Sequence, residues 1–416
     1  MRQQTIFRKD FSLVVIGQII SLFGNQILRF ALPLYLLNQT GSSALFGTIL
    51  ALSFVPMILL YPIGGIIADR INKRNIMVIL DFMTAILIFL FYLMVGKMDI
   101  VPLMAITLII LCGIQGAYQP AVQASIPVLV ETKQIMKGNS IVNLISSLAG
   151  MVGPILGGIL FSLVGLTPIL YVSIGCFFAA AVMEIFIHIP FEKKKRTGNI
   201  FVIGFNDLKD SFHFMLKEKP ALWKMSLIYA SVNLFLTPLI LIGLPVIITQ
   251  HLGFDADTAN RFYGYALGGV AAGAISGGLL AGMLSKNLKL KTSPVLLIGC
   301  ALSVLMGGIA LQILNRPTGI YIILVIGSSL LTALSTLFQI QVITYLQIVT
   351  PKDLIGKVIS CVICICVCTN PIGQFIYGII FEKLESGLYL PFYAAALIMV
   401  GIIVLTRRIF YDLDRN

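Results

Sequence analysis

The chain has 416 residues, of which 58% are hydrophobic and 11% charged, with 29 Lys and Arg against 17 Asp and Glu. A soluble core of that length would not bury so much apolar side chain, which excludes an ordinary soluble globular protein. A net charge of +12 would suggest nucleic acid in a soluble chain, but the positions of the basic residues give it another meaning.

The first ten residues carry Arg2, Arg8 and Lys9, and residues 11 to 37 then run almost uncharged. That run is too long for the apolar region of a signal peptide and shows no small-residue cleavage site, so it is expected to remain as a membrane helix. Gln18, Ser21, Asn25 and Arg29 fall within about 80° of one another on it at 100° per residue and form a polar stripe. Arg29 sits on the order of 7 Å beyond the middle of the span, at 1.5 Å per residue.

Similar apolar runs follow at 43–68, 76–96, 100–130, 139–164, 167–189, 223–250, 258–284, 293–314, 319–349, 356–381 and 388–406, which makes twelve spans. They are rich in Gly and Pro and too long for barrel strands, so the fold class is an all-α membrane protein. Between spans two and three, "GGIIADRINKRN" packs Asp69, Arg70, Lys73 and Arg74 together. The third span contains Asp81. The fourth carries Gln115, Gln119 and Gln123, and the fifth Asn139, Asn143 and Ser146 followed by "GMVGPILGG". Glu184 lies about five residues from the end of the sixth, near His188. Asp81 and Glu184 are the only acids set within spans, which makes them the candidates for proton coupling. The simpler readings are that Asp81 binds the nearby basic loops and that Glu184 reaches the lipid headgroups.

Residues 190–222 form the one long polar stretch, opening with Glu192, Lys193, Lys194, Lys195 and Arg196. It divides the chain into bundles of six spans at 1–189 and 223–416. Within it Phe205, Leu208, Phe212 and Met215 have helical spacing, which suits a helix lying on the anionic inner leaflet as well as a plain solvated linker. The seventh span bears Tyr229, Asn233 and Thr237, the tenth Thr332, Ser335 and Gln339, and the eleventh Asn370, Gln374 and Tyr377. For each stripe, hydrogen bonding between helices is the alternative to lining a cavity. "CVICICVC" in the eleventh span places Cys361, Cys364 and Cys368 on one face. Cys361 and Cys368 are about 10.5 Å apart along the axis, too far to share one metal, so apolar packing is expected.

On a twelve-span topology with both ends on one side, 24 of the 29 Lys and Arg fall on that side. Lys97, Arg261, Arg316 and Lys383 fall on the other, and Arg29 lies inside a span. The asymmetry places both termini in the cytoplasm, so no nucleic acid is implied. All seven cysteines lie within spans, which suggests no disulfide framework. High Ile, Lys and Asn suggest a bacterial inner membrane. The halves also repeat: "LPLYLLNQ" at 32 answers to "LPVIITQH" at 244, "GGIIAD" at 64 to "GGLLAG" at 277, and "GPILGGILF" at 153 to "NPIGQFIYG" at 370. Gln123, Thr132 and Gly138 likewise answer to Gln341, Thr350 and Gly356. Duplication of this kind marks transporters that bind near the bilayer midplane, between repeats.

The stretch from Gly64 to Arg74 resembles the signature loop of the major facilitator superfamily, Gly-x-x-x-Asp-Arg-x-x-x-Arg, filled here by Gly65, Asp69, Arg70 and Arg74. "GQIISLFGNQILRFALPLYLLNQTGSSA" and "YQPAVQASIPVLV" resemble the macrolide-efflux-like branch of drug exporters. The resemblance implies two six-helix bundles that alternate access. It also implies that Gly65 lets spans two and eleven approach, and that Asp69 holds the start of span eleven while the protein faces outward. Arg70, Lys73 and Arg74 would pair with Asp69 or with lipid phosphates. Gly282 replaces the acid in the second-half copy. Gly153, Pro154, Gly157 and Gly158 match the end of an antiporter-type pattern, whose upstream glycine is here Ala149. Spans 1, 4, 7 and 10 line the cavity in this superfamily, and Gln18, Asn25, Arg29, Gln115, Gln119, Asn143, Asn233, Gln339, Asn370 and Gln374 are the expected lining.

No nucleotide-binding loop, His/Cys metal spacing or nucleophile motif occurs in the sequence, so neither an enzyme nor ATP-driven transport is expected, and no cofactor. The expected function is export of hydrophobic or amphipathic compounds, such as drugs or macrolides, by proton antiport, with protons and anionic lipids as partners and the chain acting as a monomer. A lysophospholipid flippase and an exporter of siderophore-like metabolites are the alternatives within transport. A transport-dead receptor or scaffold is the alternative outside it.

Overall fold

The computed structural model describes residues 9–131, 135–189, 213–283, 292–350, 355–384 and 386–413. The expected amphipathic segment before 213 and the basic loops near 133, 286 and 352 lie outside them. Thirteen α-helices are present among the described residues: α1 (Lys9–Thr40), α2 (Ser43–Arg70), α3 (Lys73–Met94), α4 (Ile100–Leu129), α5 (Ile135–Val164), α6 (Leu166–Ile185), α7 (Pro220–Phe235), α8 (Thr237–Val246), α9 (Ala256–Met283), α10 (Ser293–Ile313), α11 (Pro317–Val349), α12 (Ile355–Lys383) and α13 (Leu390–Leu413). Among the described residues, eleven spans are long and apolar enough to cross a membrane, and α13 adds a shorter apolar stretch, Leu390–Val404. Their outward residues are apolar: Ile79, Ile86 and Phe89 on α3 are all exposed, as lipid-facing positions should be.

Local chemistry sets the helix ends. Asn72 caps α3 by accepting a hydrogen bond from Arg74 N at 3.0 Å. Gly165, at φ 73°, makes the single-residue turn between α5 and α6 that a residue with a Cβ would rarely adopt. The seventh span is the exception to a continuous rod. It is interrupted at Leu236, two residues before Pro238, which divides it into α7 and α8, and it ends in a short π-helix at Ile247–His251. The break has its own donor: Tyr377 on α12 hydrogen-bonds Phe235 O at 2.8 Å, which keeps the opened backbone satisfied in an apolar layer.

The chain packs as two compact units. The first takes the described residues of Met1–Gly41, Ile49–Thr197 and Ala256–Gly268, and the second those of Ser42–Thr48, Gly198–Asp255 and Gly269–Asn416. Each therefore includes the first turns of a helix from the other half of the sequence, and glycine makes both inclusions close. In the first unit a Cβ on Gly158 of α5 would stand 2.9 Å from Asn260 O and from Gly264 Cα of α9. Asn38 Nδ2 donates to Asn260 Oδ1 at 3.0 Å beside it, and Phe30 stacks on Tyr263 with centroids 4.9 Å apart. In the second unit a Cβ on Gly47 of α2 would stand 2.6 Å from Gln374 O and 2.9 Å from Gly378 Cα of α12. Ser43 Oγ donates to Gly378 O, and Glu382 Oε2 accepts from Ala44 N at 3.1 Å, capping the start of α2.

Candidate functional site

The first unit holds a buried polar cluster built on the α1 stripe. Helical spacing places Gln18, Ser21 and Asn25 on one buried face, from which Gln18 bonds to α4 and Ser21 to α3. Gln18 is 0% exposed, and its Nε2 donates to the Tyr118 hydroxyl of α4 at 2.8 Å. Tyr118 in turn donates to Glu184 Oε1 of α6 at 2.8 Å. One turn further along α1, Ser21 Oγ donates to Asp81 Oδ1 of α3 at 3.1 Å. Asp81 is 2% exposed and Glu184 1%. Gly17 packs directly beside Glu184, where a Cβ would stand in ordinary contact with the carboxyl at 3.7 Å.

These contacts locate both acids. Asp81 reaches Ser21 inside the bundle rather than the basic loops, and Glu184 turns inward to Tyr118 rather than toward the headgroups. No Lys, Arg or His among the described residues is bonded to either carboxyl. Gln18 Oε1, Asn25 Oδ1, Asp81 Oδ2 and Glu184 Oε2 are buried with no hydrogen-bond partner. Arg29, higher on α1, donates from Nη1 to Gln115 Oε1 of α4 at 2.6 Å and is half-buried.

Other expected lining residues scatter. Gln119 and Gln339 are half-buried, and Asn143 is exposed. Asn233 is half-buried and spends its amide on Tyr229 O of its own helix. Gln374 is fully buried and donates to Asn370 Oδ1 at 2.6 Å. Gln341 is held by Ser293 and Thr292. A cavity of about 400 Å³ in the first unit is lined by Tyr35, Tyr92, Lys97, Leu166 and Thr167, at the far ends of α1, α3 and α6 from the acid cluster, and takes in none of the candidate residues.

Of the signature loop, α2 runs through Gly65, Asp69 and Arg70, but the side chains of Asp69 and Arg70 and the surroundings of Gly65 lie outside the described residues. Lys73 and Arg74 are half-buried, and Arg74 Nε donates to Asn75 Oδ1 at 3.3 Å. Gly282 is exposed with open space beside it. On α5, the antiporter-type glycines are all places of close approach. A Cβ on Gly153 would stand 2.5 Å from Gln26 Cβ, one on Gly157 would meet Phe30 at 3.0 Å, and Gly158 meets α9 as described. Pro154 is buried among them, and a Cβ on Gly264 would stand 2.7 Å from its carbonyl oxygen.

Sequence reasoning missed Tyr118 and Glu382. Tyr118 lies about 60° around α4 from Gln115 on a 100° wheel, close enough to the amide stripe to have been added to it. Nothing local marks Glu382, because its partners belong to the start of α2.

A family model described as Major Facilitator Superfamily matches residues 14–368. Macrolide efflux protein A of Streptococcus pyogenes is 25% identical over 191 residues, 46% of this chain and 47% of that protein. An uncharacterized MFS-type transporter, YfiS, of Bacillus subtilis (strain 168) is 25% identical over 228 residues, 53% of this chain and 52% of that one. The match thus spans about half the length of these curated relatives. Among solved structures, a bacterial homologue of the human lysosomal transporter Spinster superposes with a TM-score of 0.68 at 14% identity, over 97% of this chain and 96% of that one. The nucleoside transporter NupG gives 0.68 at 12% identity over 98% and 99%, and a D-xylose-proton symporter 0.68 at 15% over 94% and 96%. At these identities the solved structures establish the shared fold.

Proposed function

The chain belongs to the major facilitator superfamily and is a transporter rather than an enzyme, and from that premise we propose that it exports hydrophobic or amphipathic compounds by proton antiport. The efflux direction and a macrolide-like substrate rest on the half-length similarity to macrolide efflux protein A. The observation that carries the coupling is the pair of buried carboxyls, Asp81 and Glu184, wired through Ser21 and through Tyr118 and Gln18 to the polar face of α1. Two carboxylates in an apolar bundle, bonded to no cation among the described residues, would cost several kcal/mol per ion, and a proton is the species that relieves this. A group that gains and loses a proton inside the bundle, hydrogen-bonded to the helix that carries the substrate-facing stripe, is what an antiporter needs.

In this reading two six-helix bundles, joined by residues 190–222, rock around a cavity near the midplane in the plasma membrane of a bacterium, with both termini cytoplasmic and the chain acting as a monomer. Arg29, Asn25, Gln115, Gln119, Asn143, Asn233, Gln339, Asn370 and Gln374 line the path, with Gln18 at its inner wall. Asp69, with Gly65, Arg70, Lys73 and Arg74, is the state-dependent latch at the cytoplasmic side, where anionic lipids also bind. A second reading, a lysophospholipid or siderophore-like metabolite as substrate, is favoured by Arg29, whose half-buried guanidinium suits an anionic headgroup.

The test is accumulation of a fluorescent amphipathic dye and of a labelled macrolide in expressing cells, with and without a protonophore. Lower accumulation that the protonophore abolishes is expected. A well-expressed protein that changes neither compound sinks drug export and turns attention to anionic lipids and metabolites.

A further inference from the structure

The four orphaned atoms around the α1 face have one chemical property in common. Gln18 Oε1, Asn25 Oδ1, Asp81 Oδ2 and Glu184 Oε2 are all acceptors, so the cluster is short of donors. The chain of bonds through it also has a direction. Gln18 Nε2 donates to the Tyr118 oxygen, and the Tyr118 O–H donates to Glu184 Oε1. That order serves an ionised Glu184, which can only accept.

We propose that the Gln18–Tyr118–Glu184 chain reverses direction when Glu184 takes up a proton, and that Tyr118 is the positioning residue through which α1 reads the charge of Glu184. The inference rests on the coupling reading above and names the element that transmits it. One proton is taken up, and no other atom is gained or lost. The protonated Glu184 donates its O–H to the Tyr118 oxygen, the Tyr118 hydroxyl turns, and its O–H donates to Gln18 Oε1 once that amide has rotated by half a turn. Gln18 Oε1 then has the partner it now lacks, and Glu184 has become a donor. Gln18 Nε2 is released on α1, one turn from Ser21 and two from Asn25, whose Oδ1 has no partner. A protonation event on α6 thus becomes an exchange of acceptor for donor on the helix that bears the stripe.

Few other groups compete for this role. Among the described residues, the titratable groups facing Glu184 are Tyr118 from α4 and Asp81 from α3, and α1 presents Gly17, Gln18 and Ser21. Asp81 meets the same face of α1 through Ser21, which also neighbours Tyr118, but none of the Gln18–Tyr118–Glu184 bonds runs through Asp81.

The experiment is an infrared pH titration of the full-length protein in lipid nanodiscs, following the C=O stretch of a protonated carboxyl and the C–O stretch of tyrosine. A carboxyl band absent from Glu184→Gln is expected to titrate with the same midpoint as a tyrosine shift absent from Tyr118→Phe. In Tyr118→Phe, which leaves the ring in place, the midpoint should move about tenfold toward lower proton concentration, since the ionised form loses a charge-assisted donor. A titrating carboxyl band with no accompanying tyrosine shift overturns the proposal, as does a Tyr118→Phe midpoint within about twofold of the parent. The titration needs no transport. If dye export fails while band and tyrosine shift move together, the chain stands and the export reading falls; protonophore-sensitive export with an unmoved midpoint in Tyr118→Phe overturns the chain alone.

Discussion

Arg29 Nη1 donates to Gln115 Oε1 at 2.6 Å, joining the polar stripes of α1 and α4 by a single charge-assisted bond. Both residues fall on the faces that sequence periodicity marks as polar, so the cation is held in place on that side of the first unit. If it meets substrate, Arg29→Ala should lower export of anionic amphiphiles by about tenfold or more and leave cationic dyes within about twofold, because a lost charge-assisted bond is worth about 1.5–3 kcal/mol. Parallel export assays with an anionic and a cationic dye check this. Equal loss of both would mean that Arg29 only ties α1 to α4.

Asp81→Asn and Glu184→Gln keep the shape of the buried cluster while removing the capacity to carry a charge. At least one of them should abolish uphill export while leaving downhill exchange of preloaded dye across vesicles intact. Counterflow measured beside protonophore-sensitive export separates the two. If both variants export uphill as the parent does, neither acid carries the coupling proton.

Asp69→Asn tests the latch. Turnover should fall at least tenfold with expression and substrate binding unchanged, because the residue is assigned to a contact made in one state only. A chain that served as a scaffold would instead retain its partner binding and show no transport to lose.

The glycine contacts make a prediction about packing. Gly158→Val and Gly47→Val each place carbons where Gly264 Cα and Gly378 Cα now stand within 3 Å of a Cβ position. Each should lower thermal stability in detergent by an amount corresponding to about 1–3 kcal/mol or more, as overpacking does. Gly282→Val, where nothing lies within 4 Å, should be tolerated. Melting curves followed by retention of a monodisperse elution peak distinguish the sites.

Asn72→Ala removes both the cap of α3 and a donor to Ile189 O. The expected loss is about 1 kcal/mol, read as a lower melting temperature without change in substrate range.

The sequence alone determined what depends on one segment at a time. The apolar runs gave the spans because a helix must satisfy its own backbone in hydrocarbon over about 20 residues, and the Lys and Arg positions gave the expected sidedness because that bias acts loop by loop. Periodicity also picked out the α1 stripe, whose members Gln18, Ser21 and Asn25 are indeed polar groups turned inward. Partners were another matter. That Asp81 meets Ser21, that Glu184 meets Tyr118, and that Glu382 caps α2 are contacts across 60, 66 and 338 positions of the chain. Only the packing of α1, α3, α4 and α6 decides whether an acid near a span end turns to lipid headgroups or inward. Here it turns inward, where Tyr118 offers it a donor.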